Sequence, residues 1–322
     1  MPGSAGIFPK NDGDTIYAAD YNNIQDTVQT LLGTGLADQG YGQAVNSTQV
    51  VANSKVTVSQ WTIVRGDLLK IRTHQTGVNE TGNLTIPTTS DVITNEFINQ
   101  YKTYATTCTT NRFTIASNQG QEEAFVSRQR ITVWNGVLTH IVTVTFASAN
   151  AARHWFNAGG QFRFTASRTG GSVSTKNSAW ETLLSDMAVI TFAANGTTYS
   201  GTGASTVATS TGWYQLTTSN TKIFEKPAAA GVYNENDYNI NARKNASDNT
   251  ATELTFTIEF RDDDSGDQRP VDPGTLGVDG LGTAGPGVDE DVDGTLTSVV
   301  RIFRPIGTNV ELTAPAVSES GL

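Results

Sequence analysis

From about residue 130 to 305 the chain alternates apolar and polar positions with a period of two. Leu254, Phe256, Ile258 and Phe260 are separated by Thr255, Thr257 and Glu259, the pattern of a strand with one buried face. Phe162, Phe164 and Ala166 alternate in the same way with Arg163 and Thr165, between the turn pairs Gly159-Gly160 and Gly170-Gly171. The segments 142–146 and 187–192 read as strands of the same sheet. Further strands are expected over 213–216, 221–224, 238–242 and 299–303, with a short helical insert at 180–184. Many short strands separated by turns point to a β-sandwich or jelly roll.

The first third has helical spacing instead. Ile24, Val28, Leu31 and Leu32 form one stripe, Val64, Leu68, Leu69 and Ile71 a second, and Ile98, Tyr101, Tyr104 and Ala105 a third. Each stripe follows a β-branched residue (Ile16, Val56, Val92), a polar capping segment and an aromatic at one offset (Tyr21, Trp61, Phe97). The spacing is that of a supersecondary repeat, one helix per unit. The β-branched residue serves as a hydrophobic staple, Ser59 and Thr94 as N-caps, and Gly33 and Gly77 as stops, with Gly66 a further break. Such short helices need partners to be stable.

The fold class is therefore α+β: N-terminal short helices, then a mainly antiparallel β-sandwich or jelly-roll-like domain. Residues 1–115 form the helical attachment or oligomerisation region and 116–305 the sandwich. Within the latter, 261–294 is a long acidic loop rich in Gly and Pro, and 306–322 is a tail that does not fold by itself.

Composition narrows the function. Charged residues are 16% and the net charge is −10, which argues against nucleic-acid binding, since phosphate contacts need clustered Lys and Arg. A single cysteine, Cys108, allows no internal disulfide. No apolar run approaches the ~20 residues that span a bilayer, so no membrane insertion is expected. The N-terminus has no charged segment followed by an apolar run, which reads as no signal peptide.

Candidate chemistry is sparse. His74, His140, His154 and Cys108 show no zinc spacing. Asp289, Asp291 and Asp293, followed by Gly294, resemble the opening of a calcium loop, but Val300 stands where its bidentate carboxylate belongs. Asp262, Asp263 and Asp264 flank the same loop and could add oxygens, so calcium is the one candidate ion, with Asp289, Asp291, Asp293, Asp262 and Asp264 as its ligands; the alternative is a solvated acidic loop. A nucleophile with a base is not visible. Trp213 and Tyr214 either stack on sugars or pack a strand into the core.

Arg153-His154-Trp155-Phe156-Asn157-Ala158-Gly159-Gly160, the run from Arg163 to Gly171, Asn177-Ser178-Ala179-Trp180, the opening Gly6-Ile7-Phe8-Pro9-Lys10-Asn11-Asp12-Gly13-Asp14 and Gly294-Thr295-Leu296-Thr297-Ser298 resemble a family of virion structural proteins of tailed phages, especially those of marine cyanobacteria. The resemblance implies a particle component of tail, neck or fibres that is not an enzyme, is located in the virion and is partnered by copies of itself and other virion proteins. The alternatives are a receptor module binding a host surface glycan during host attachment, and a surface-polysaccharide hydrolase.

Overall fold

A computed structural model describes residues 16–229, 233–263 and 291–322, together with Pro9 and Asn11. The class is α+β, with N-terminal helices followed by two antiparallel sheets. Two compact units are built from interleaved stretches. The first takes Met1–Glu122, Ala147–Gly160 and Phe303–Ala314; the second takes Glu123–Phe146, Gln161–Ile302 and Pro315–Leu322. The helical region at 1–115 thus gains a later helix and a segment from near the C-terminus.

In the first unit the repeat produces α1 (Ala18–Leu31), α2 (Val58–Thr76) and α3 (Asn95–Thr110). Its three aromatics meet. Trp61, 2% exposed, stacks edge-on with Tyr21 at 5.1 Å and with Phe97 at 5.0 Å. Ile16, Val56 and Ile93, each just before its N-cap, pack on this core as staples. The third staple is Ile93 and not Val92, which is exposed; that unit is shifted by one residue. Thr57, not Ser59, caps α2: its backbone N–H donates to Gln60 Oε1 at 2.8 Å and its hydroxyl accepts from the Gln60 N–H. Thr94 caps α3, accepting from the Phe97 N–H at 3.2 Å. Gly77 closes α2 with φ 76°, whereas Gly66 lies inside that helix.

The stretch Arg153–Asn157 belongs to α4 (Ala149–Asn157), capped by Ser148. Ala152, Trp155 and Phe156 share its buried face, and its polar side chains hold the turn after α1. Arg153 Nη2 donates to the Thr34 carbonyl at 2.7 Å, and Asn157 Nδ2 to that of Gly40 at 3.1 Å.

The second unit is a sandwich. One sheet has the order β1 (Gly120–Arg130), β10 (Thr295–Pro305), β3 (Gln161–Thr169), β4 (Ile190–Phe192), β5 (Thr197–Tyr199). The other runs β11 (Ala316–Gly321), β2 (Gly136–Thr145), β9 (Glu253–Asp262), β8 (Asp237–Lys244), β7 (Thr221–Pro227), β6 (Thr206–Val207). Phe256 of one sheet lies 5.4, 4.8 and 5.3 Å from the rings of Phe162, Phe164 and Phe192 of the other. All four are fully buried, as the alternation of β3 and β9 requires.

Four expectations are corrected. The 142–146 strand lies in the sheet opposite β3, not beside it. Residues 187–192 are not one strand: α5 (Thr175–Met187) runs on through Met187, Ala188 takes φ 48°, and only Ile190–Phe192 pair. Residues 213–215 form a 3-10 turn, with Trp213 buried against Phe146 at 5.9 Å. The expected helical insert at 180–184 is longer, spanning all of α5. The tail, expected not to fold by itself, adds its β11 to β2 in antiparallel register.

Candidate functional site

The most built polar constellation lies where the flanks of the acidic segment meet α5. It starts from β3. The inward alternation of Phe162, Phe164 and Ala166 continues to Arg168, an arginine that is 5% exposed. Gly170 and Gly171, both with positive φ, then reverse the chain. Ser174 caps α5 by accepting from the Asn177 N–H at 3.1 Å, and the first turns of α5 carry Lys176, Asn177, Trp180 and Glu181.

Lys176 Nζ is 2.6 Å from Asp262 Oδ2 at the end of β9, with neither side chain exposed. Trp180 Nε1 donates to Asp262 Oδ1 at 3.4 Å. Arg168 holds the other flank: its Nε donates to the Asp293 carbonyl at 2.7 Å, its Nη2 to Asp293 Oδ1 at 3.0 Å and its Nη1 to Glu181 Oε1 at 2.6 Å. Asp293 also accepts from the Ser172 backbone N–H at 2.9 Å and from Asn177 Nδ2 at 2.5 Å. The Ser172 N–H leads the donors that hold this carboxyl below the usual carboxylate range. A Cβ on Gly171 would fall 2.5 Å from Asp293 Oδ1, and one on Gly294 2.7 Å from the Gly170 carbonyl, so this approach requires glycine on both sides.

Two sequence-derived ligand candidates, Asp262 and Asp293, are thus brought to one helix, each on its own buried cation. Asp291 is exposed. Asp264 and Asp289 lie outside the described residues. Among the described residues no group of three or more His, Cys, Asp or Glu is arranged to hold a metal ion. Sequence reasoning missed Arg168 and Lys176. The first was legible as the next inward position of β3; nothing local marks the second.

The arrangement is an electrostatic anchor. Three separate stretches of the chain converge on it, through Arg168 and Gly171, Asn177 and Trp180, and Gly294.

One Ser–His–carboxylate set occurs elsewhere in this unit. His140 Nδ1 is 2.9 Å from Ser298 Oγ, and its Nε2 is 3.1 Å from Glu319 Oε2. Ser298 and His140 are both fully buried, so the hydroxyl is sealed from any substrate and the set links β10, β2 and β11. Cys108 is equally enclosed, and burial pushes its thiol up to about 12. Trp213 is a core residue rather than a sugar platform. Among the described residues no helix is long and apolar enough to cross a membrane.

No family model matches this chain, and neither a curated protein nor a solved structure matches it.

Proposed function

We propose that this chain is a structural component of a tailed-phage particle, of its tail, neck or fibres, acting by assembly with copies of itself and with other particle proteins. The sequence resemblance supports the particle. The observation that supports assembly is at the end of the sandwich beside the anchor. Ile131, Val133, Val137 and Val173 are there 74%, 56%, 45% and fully exposed. Val133 precedes Trp134, whose backbone pairs with that of Val292; Val137 stands opposite Arg261; and Val173 follows Ser172, which binds Asp293. Single exposed aliphatics are ordinary. Ile131 and Val133 near the Trp134 bridge, Val137 on β2 and Val173 after Ser172 are exposed aliphatics on the segments that lead into the anchor, and such surface is what protein contacts cover.

The test is mass by light scattering at micromolar concentration, with Ile131→Asp/Val133→Asp as the variant. An oligomer that the double substitution dissociates without lowering the melting temperature fits the proposal. A stable monomer counts against assembly, and a particle image lacking the protein counts against the virion.

A further inference from the structure

We propose that β11 is an acid-sensitive latch on the edge of the six-stranded sheet, opened when the polar seam at His140 takes up a proton. Among the described residues β11 is an edge strand of six residues that pairs with β2 alone. Its outward residues are exposed; inward, Glu319 is its link to the seam. There Glu319 Oε2 meets His140 Nε2 at 3.1 Å and Glu319 Oε1 meets Arg128 Nε at 3.5 Å, while Arg128 Nη1 donates to the Gly321 carbonyl at 2.7 Å. Ser298 of β10 closes the far side of the imidazole, and Ile258 of β9 stands in register with it as an apolar neighbour. Among the described residues the groups facing His140 are thus the Glu319 carboxylate, the Arg128 guanidinium behind it and the Ser298 hydroxyl.

In the closed seam the imidazole has one proton to place. With Nε2–H donated to Glu319, Nδ1 accepts the Ser298 hydroxyl, and every polar atom of the ring is used. A second proton on Nδ1 turns that acceptor into a donor. It forces the buried hydroxyl to reorient and sets a cation in a sealed site near Arg128. Burial, the larger influence, and Arg128 hold His140 below the ordinary histidine value, although Glu319 pulls the other way. Opening β11 returns the ring to water. The closed latch is thus fully favoured above about pH 6.5 and loses its advantage as pH falls below that value, by as much as about tenfold in the opening constant per pH unit. Opening leaves β2 with an unpaired edge able to accept a strand from another chain.

Hydrogen exchange on the full chain, corrected for the intrinsic pH dependence of amides, tests this. Amides of 316–321 should lose protection between pH 7.5 and 5.0 by several-fold more than those of β8 and β9, and His140→Gln should flatten that difference. Equal protection at the two pH values, or a pH dependence unchanged in His140→Gln, overturns the proposal. Should His140→Gln fail to fold, the imidazole titration of the unaltered chain by NMR decides: a midpoint clearly below 6.5 agrees, and one at or above it overturns the latch.

Discussion

Lys176 Nζ and Asp262 Oδ2 lie 2.6 Å apart with both side chains wholly removed from solvent. Neither charge has water to return to if its partner is lost. Lys176→Met or Asp262→Asn alone should therefore cost about 3–5 kcal/mol, while Lys176→Met/Asp262→Leu should recover much of the loss, because an apolar pair leaves no stranded charge. Urea unfolding of the two single variants and the double variant measures this. Additive losses would mean the two residues are not coupled.

Asp293 is engaged by Arg168, Ser172 and Asn177. The destabilisation caused by Asp293→Asn should be the same in millimolar calcium as in chelator. A loss that appears only with calcium present would identify Asp293 as an ion ligand.

Phe164 is fully buried against Phe256, whereas Arg163 points to the other face. Phe164→Ala should cost about 3–5 kcal/mol through lost transfer energy and a cavity. Arg163→Ala should cost under about 1 kcal/mol, as surface changes do. Denaturant titration separates the two, and equal losses would contradict the register of β3.

His74 is fully buried in the first unit, with Nε2 2.9 Å from the Ala158 carbonyl, and burial lowers it from 6.5 to about 4. The folded state favours the neutral ring. Its contribution is complete above about pH 6.5 and is lost as pH falls towards 4, amounting to about 3 kcal/mol in all. Stability compared at pH 7 and pH 4 for the unaltered chain and for His74→Gln reads this out; the variant should lose less on acidification.

The local periods were legible because each is carried by neighbours in sequence. Alternation in β3 and β9 marks which side chains go inward, and the same alternation extended two residues marks Arg168. The helical stripes and their aromatics mark α1 to α3, although the Val92 staple was one residue off because two β-branched residues stand side by side. Three-dimensional pairing decided the rest. A period of two says that one face of β2 is buried but not which sheet it joins, and the inner faces of the two sheets carry the same pattern. The 213–215 turn alternates like a strand, yet the backbone N–H groups of Trp213 and Tyr214 donate to Ala193 and Ala194 and that of Gln215 back to Gly212. Arg168 reaches Asp293 across 125 residues and Trp180 reaches Asp262 across 82. Carboxylates that resemble ion ligands along the chain become partners of buried cations only once β3, α5 and β9 pack, because burial strengthens a paired charge and penalises a solitary one.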